Sequence, residues 1–366
     1  PRDSIRRQRQ MCIRDRRLAV DSIAFCTEEM PKFHSFLEDT YFISDGGLDS
    51  VEEMALGFVE IRGIVRELLT RGIEIDRFAP RIAILVNCRM DFFEEIAKIR
   101  ATRRLFSRMM GGEFGARDPR SLAVNIAAHT SGLSLTAQQP VNNVVRGATQ
   151  ALALALAGAQ AIEVSTFDEG YRIPSAEAHL VGLRTQQVIQ FESGATRVAD
   201  PLGGSYYVES LTDEIERRIW ETVVRVEAAG EPDELCESGW FRRLFQDAME
   251  RHVRELADGT LRKVGVNAHV IPDEEDLLLR DVAQEKIEPC RERIAWVREH
   301  RKQRDAGRVR KSLEALHASA RDRGANLMPA IVVATERGAT MGEMTGVLRM
   351  AYGRPADPFG AVDDPI

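Results

Sequence analysis

The chain has 366 residues, 44% of them hydrophobic, the composition of a globular protein with one large or two ordinary domains. Fifty basic side chains against 57 acidic ones leave a formal charge of −7, so the excess of positive charge that drives nucleic-acid binding is missing. No run of 18 apolar residues occurs, so no membrane span is expected, and five scattered cysteines (Cys12, Cys26, Cys88, Cys236, Cys290) without CxxC spacing argue against a disulfide framework and for a reducing cytoplasmic setting.

In chain order, residues 1–18 contain seven arginines and no apolar periodicity, and they are expected to form a disordered or artefactual leader. Phe36–Ser44 is a weak strand candidate. Ser50 with Glu53 has the spacing of a capping box, opening a helix that runs to about Leu69 and turns at Gly72. Arg81–Cys88 (RIAILVNC) is a continuous apolar, β-branched run, as expected of a parallel strand covered on both faces. A helix follows from Asp91 to about Met110. The loop Gly111–Arg120, whose GGEFG is neither a dinucleotide fingerprint nor a P-loop, leads to a third run, Leu122–Ala128. A helix over Ala137–Ala157 starts near Pro140, where a missing amide proton costs nothing. The fourth run is Ala161–Thr166, with a helix from Ser175 to Phe191 behind it.

Beyond Tyr207 the strand signals stop. Ile215, Ile219, Val223 and Val226 share one helical face, and further helices are predicted at Gly239–Ala257, Arg280–Asp305 and Val309–Gly324. The last helix starts at Thr340, with Glu343 completing a capping box, and ends at Gly353. Four strand–helix units imply an α/β fold with a parallel sheet. The predicted domains are a sheet-containing region over 19–207 and a helical region over 208–366.

Certain phrases are unusually dense in turn and cap signals: FAPRI from Phe78, TSGLSLTAQ from Thr130, NNVVR from Asn142, Asp168-Glu169, and QQVIQFESGATRVADPLGGSYYVESLT from Gln186. In these the chain resembles the cobalamin-dependent acyl-CoA mutases of the methylmalonyl-CoA mutase large-subunit family, over about Ile23 to Gly353. The resemblance implies the C-terminal half of a (β/α)8 TIM barrel, about four βα units, followed by a helical region. Closing such a barrel takes eight strands. Four alone leave two unpaired edges and an uncovered lumen face, which calls for truncation, a partner supplying the missing half, or a second copy.

The resemblance also implies adenosylcobalamin as cofactor, with radical rearrangement of an acyl-CoA carbon skeleton. Site residues are expected at the carboxyl ends of the strands. Tyr41 matches a family tyrosine, while Phe42 replaces the histidine beside it that would contact the thioester carbonyl. Arg81 matches a CoA-contacting arginine, although a strand-leading arginine also serves as a surface ion-pair partner, and Ala83 replaces a serine. His129 stands where the family has glutamine, and it is the candidate catalytic and substrate-binding residue in place of the lost histidine. Upstream on that strand, Asn125 and Ala127 replace an arginine and a histidine. Gln160 is retained, whereas Ala161, Glu163 and Ser165 depart. Asp168 and Glu169 match and can equally be structural.

The DxHxxG motif that marks the cobalt-ligating domain in single-chain relatives is absent from this sequence, so cobalamin is expected to be bound mainly by a separate small subunit. Two functions follow: a large-subunit fragment of an acyl-CoA mutase, or a non-catalytic or decayed subunit that binds a CoA-type ligand or a partner. Phe42, Ala83, Asn125, Ala127 and Ala161, each replacing a polar group, favour the second.

Overall fold

The structure is a computed structural model that describes residues 2–276, 289–360 and 363–366. In chain order it contains α1 (Arg2–Glu29), β1 (Phe36–Asp39), α2 (Tyr41–Asp45), α3 (Ser50–Thr70), α4 (Ile75–Phe78), β2 (Ile82–Cys88), α5 (Phe92–Arg108), β3 (Asn125–Thr130), α6 (Asn142–Leu156), β4 (Ala161–Glu163), α7 (Ala176–Glu192) and α8 (Tyr206–Ala229). The remaining helices are α9 (Pro232–Glu237), α10 (Trp240–Asp258), α11 (Arg291–Gln303), α12 (Ala306–Arg321), α13 (Met328–Glu336) and α14 (Met341–Ala351). The chain divides into two compact units, one built from Phe36–Pro232 with Gly239–Glu285, the other from Pro1–Ser35, Asp233–Ser238 and Lys286–Ile366.

The first unit is a parallel sheet in the order β1-β2-β3-β4, with helices between the strands. Side chains alternate across the sheet. Ile82, Ile84, Val86, Ile126 and Ala128 are buried on one face. The other face carries three rows set by the register: Leu37–Ala83–Asn125, then Asp39–Leu85–Ala127–Ala161, then Asn87–His129–Glu163. Leu37, Asp39, Asn125, Ala161 and Glu163 are exposed, so the strands are not covered on both faces as the apolar run of β2 predicts. β1 and β4 are the sheet's edges. Helix α8 packs on α3 and α5, and Ile215, Ile219, Val223 and Val226 of its predicted apolar face are buried.

Several local readings shift: β3 is Asn125–Thr130 where Leu122–Ala128 was predicted, β4 ends at Glu163 and not Thr166, and α6 starts at Asn142 and not Ala137. The strand predicted over Phe36–Ser44 stops at Asp39: the Thr40 amide still donates to Leu85 O (2.9 Å), but its hydroxyl lies 3.0 Å from Glu53 Oε1 of α3 and the chain turns into α2. The cap of α3 is Asp49 with Glu52, one residue before the predicted Ser50–Glu53 pair; the Asp49 carboxylate accepts from the Val51 and Glu52 amides. Glu53 is thereby released from capping and lies fully buried.

Its partner is Lys98. The ammonium donates to Glu53 Oε2 (2.8 Å) and Asn87 O (2.6 Å) and pairs with Glu95 Oε2 (2.6 Å), all three charged side chains being at most 1% exposed. Burial disfavours the ammonium, but Glu53 and Glu95 outweigh it and hold Lys98 above its ordinary range, while burial pushes the Glu53 carboxyl up. Glu38, on β1, has no such partner: its Oε2 accepts no hydrogen bond, and burial with Glu60 and Asp39 nearby pushes its carboxyl well above the usual range.

In the second unit, Arg17 closes the end of α12. Its guanidinium donates to the carbonyls of Ala320 (2.9 Å), Asp322 (2.5 Å) and Ala325 (2.7 Å), which a cation at a helix carboxyl end satisfies well. Arg17 and Leu18 thus pack within this unit, and α1 runs from Arg2 to Glu29. The Thr340–Glu343 capping box forms as predicted. Burial pushes the Glu343 carboxyl up, but Arg304, the Thr340 amide and hydroxyl, and Arg301 outweigh it and hold it at about 2. Helix α13 was not predicted, and residues 280–288 of the helix predicted over 280–305 lie outside the described residues. None of the described helices is long and apolar enough to cross a membrane.

Replacing Lys98 with Met leaves Glu53 and Glu95 buried without a cation and is expected to cost about 3–5 kcal/mol in urea unfolding. Glu38→Gln is expected to do the opposite. A carboxyl whose folded pKa is raised binds more protons folded than unfolded, so stability falls as pH rises above the unfolded carboxylate range. The Glu38→Gln variant should be more stable at neutral pH and lose that decline; an unchanged pH profile of unfolding would contradict it.

Candidate functional site

The carboxyl ends of the strands meet in one hydrogen-bonded cluster. Tyr41 opens α2 just after β1, and its hydroxyl accepts from the Gly132 amide at 3.3 Å. The Tyr41 ring packs edge-on against His129 (centroids 4.7 Å apart) and Phe42 (5.2 Å). Asp45, at the end of α2, accepts from Asn87 Nδ2 (2.8 Å), Ser131 Oγ (2.9 Å) and the Leu133 amide (3.4 Å), tying the exits of β1, β2 and β3 together. Burial, then the charge of Asp45 and a hydrogen bond to it, push the Tyr41 phenol well above its usual range. Tyr41 is therefore a neutral hydrogen-bonding group at any ordinary pH.

His129, on β3, presents its ring on the uncovered face. Nδ1 lies 2.7 Å from Thr130 O and 3.2 Å from Ser165 Oγ, and the Ser165 hydroxyl itself donates to Thr130 O at 2.6 Å. Nε2 is 3.6 Å from Glu163 Oε1, whose side chain is 74% exposed. Because Thr130 O can only accept, Nδ1 carries a proton, which fixes the role of Nε2: an acceptor in the neutral imidazole, a donor only in the imidazolium.

Gly132, in the TSG phrase, is dictated by close approach. A Cβ there would stand 3.0 Å from both Asp45 Oδ2 and the Tyr41 hydroxyl.

The five predicted site residues do not converge. Tyr41, Phe42 and His129 share the carboxyl end of the sheet, with the Phe42 ring exposed. Arg81 precedes β2, at its amino end. Gln160 precedes β4, and its Oε1 accepts from the Ile126 amide at 2.8 Å, so its side chain extends the ladder at the start of β3. Asp168, mostly buried, accepts from Thr166 Oγ1 (2.8 Å) and the Ser175 amide (3.0 Å), the structural alternative left open by the sequence. Asp45 and Asn87 were not singled out from sequence. Asn87 carried a signal, a lone amide in an otherwise apolar strand; Asp45 carried none, since acidic residues before turns are commonplace.

Residues 10–354 match the family model for methylmalonyl-CoA mutase. The chain belongs to the methylmalonyl-CoA mutase family. It is 36% identical over 337 residues to the 2-hydroxyisobutanoyl-CoA mutase large subunit of Aquincola tertiaricarbonis, covering 92% of this chain and 60% of that protein. It is 34% identical to the methylmalonyl-CoA mutase of Rhizobium meliloti (92% of this chain, 47% of the relative) and 34% identical to that of Escherichia coli (94% and 48%). The chain thus spans about half to three-fifths of the length of these relatives.

Gly132→Ala is expected to force Tyr41 and Asp45 apart, destabilising the chain by about 1–3 kcal/mol. The same substitution should change the near-ultraviolet circular dichroism of Tyr41. Native stability with an unaltered spectrum would show that the contact is slack.

Proposed function

We propose that this chain carries part of the large subunit of an adenosylcobalamin-dependent acyl-CoA mutase, its sheet being the C-terminal half of a (β/α)8 barrel and its uncovered face the lumen. The observation that carries the reading is the placement of Tyr41 and His129 at the carboxyl end of that face with Arg81 at the opposite end of β2. Seven strand residues span about 23 Å, a distance suited to an extended pantetheine arm lying along the strands with a phosphate near Arg81 and the thioester near His129. The uncovered rows and the two edge strands support a complementary half, contributed by more of the same polypeptide, a partner or a second copy.

His129 is engaged by Thr130, Ser165 and Glu163 and is not offered as a cobalt ligand. Cobalamin, which would supply the radical chemistry, is proposed to be held outside the described residues, mainly by a separate subunit, in keeping with a relative named as a large subunit. What this chain's own residues do is bind and orient. In its protonated form His129 points Nε2–H along the uncovered face, where it donates to a thioester carbonyl; Tyr41 fixes the ring edge-on; the Phe42 and Tyr41 rings exclude water. The two free buried thiols, Cys26 and Cys88, suit a cytoplasmic setting.

A second reading rests on Phe42, 70% exposed with no polar group where the resemblance implies a histidine, and on Gln160, committed to the β3 backbone. It makes the chain a non-catalytic subunit that holds a CoA-type ligand or a partner.

The two readings separate on titration with acyl-CoA thioesters, free CoA and a cobalamin-binding subunit, following the cobalamin spectrum. Thioester-triggered Co–C homolysis supports the mutase; saturable CoA binding without homolysis supports the binding subunit. His129→Ala is expected to weaken thioester binding about tenfold while leaving free CoA unchanged, and in an active assembly to slow turnover by about 10²–10³. Equal affinity of the His129→Ala variant and the parent for the thioester would remove His129 from the site.

A further inference from the structure

Beside the carboxyl ends of β2 and β3 lies a cavity of about 460 Å³ whose wall holds five basic side chains: Arg89, Arg146, His252, Arg262 and Lys263. They come from separate elements. Arg89 directly follows β2, Arg146 belongs to α6, His252 to α10, and Arg262 and Lys263 to the segment after α10. The partners of the three best-anchored cations are neutral. Arg89 donates to Leu48 O (3.2 Å), Lys263 to Leu133 O (2.8 Å), and Arg146 to Asn143 Oδ1 (2.6 Å), Thr136 Oγ1 (2.9 Å) and Val264 O (2.8 Å).

The same wall carries the carboxylates Asp91, Glu94 and Glu95; Glu95 is paired with Lys98, which leaves Asp91 and Glu94 against Arg89, Arg146, Arg262 and Lys263, an excess of positive charge. The uncompensated charge is felt within the cluster. Burial, then Arg146 and Arg89, lower Lys263 from its ordinary range; burial, then Lys263 and Arg89, lower His252, against a smaller opposing effect of Glu255. Hydrogen bonds to backbone carbonyls fix where these cations sit without neutralising them, which is the preorganisation an anion site needs.

We propose that this cavity is an anion site that takes a phosphate dianion, either the free ion or the terminal phosphoryl group of a phosphomonoester. It is independent of the thioester site, since none of its basic residues is among those placed along the uncovered face. Phosphate would accept hydrogen bonds from the Arg89 and Lys263 donors that Leu48 O and Leu133 O leave open.

Inorganic phosphate and glycerol 3-phosphate are the probes, titrated calorimetrically into the whole chain and followed by the His252 ring resonances. Saturable one-to-one binding at about 1 mM or tighter is expected, with the His252 titration midpoint moving to higher pH in the bound state. Lys263→Met and Arg89→Gln should each weaken binding about tenfold. Tighter binding of the ester identifies a phosphoryl-bearing ligand, and equal or tighter binding of the free ion identifies phosphate itself. No saturation by either probe up to about 10 mM, or an unmoved His252 midpoint in the parent protein, overturns the proposal. The His252 measurement needs no substitution and stands even if Lys263→Met fails to fold.

Discussion

The geometry of the strand ends depends on one buried ion-pair cluster. Glu53 of α3 holds the Thr40 hydroxyl (3.0 Å) and the Asn87 amide (2.9 Å) on one oxygen and Lys98 of α5 on the other, and Lys98 also binds the Asn87 carbonyl. The peptide at Asn87 is thus gripped from both sides, and the exit of β1 is fixed by the carboxylate that fixes β2. A buried ion pair of this kind adds little net stability over apolar packing, because desolvation consumes most of the attraction. What it supplies is position. Tyr41 follows Thr40 directly, and Asp45 is held by the Asn87 side chain, so the placement of the phenol at Gly132 traces back to Lys98.

How much of this was legible follows from the physics of each segment. Parallel strands and their helices show in the sequence because apolar runs and helical periods are local, and β2, α5, α6 and α7 lie close to where the pattern puts them. Strand ends are less legible. β1 ends well before Ser44 because a side chain from α3 captures Thr40, a contact between positions 13 apart. The cap of α3 was displaced by one because Asp49-Ser50 offers two capping residues in succession, and the choice fell to the one that sends Glu53 into the core. Arg17 looked like part of a charged leader, since its role depends on carbonyls some 300 positions later.

The candidate site divides in the same way. Of the residues named from resemblance, Tyr41, Phe42 and His129 lie together at the carboxyl end of the sheet, whereas Arg81 and Gln160 lie at the amino ends of their strands. Gln160 accepts a hydrogen bond from the backbone of β3, a contact that its family likeness did not reveal. Asp45 is the residue no local pattern could have supplied: its importance lies in three donors from two other strand exits, and nothing in its neighbours along the chain records them.

The tyrosine between Phe42 and His129 bears on how such a site tolerates change. Its ring touches both neighbours edge-on, so positions 42 and 129 belong to one aromatic cluster although they sit on different elements. An imidazole removed from 42 and one introduced at 129 would approach the same small volume from two sides. The exchange is not neutral, however, because position 129 ties Nδ1 to the backbone and sets Glu163 beside Nε2. A histidine held this way donates from Nε2 only as the imidazolium, because its neutral form carries the proton on Nδ1. Position 129 therefore keeps an imidazole in this aromatic cluster, with a hydrogen bond from Nε2 that is conditional on protonation.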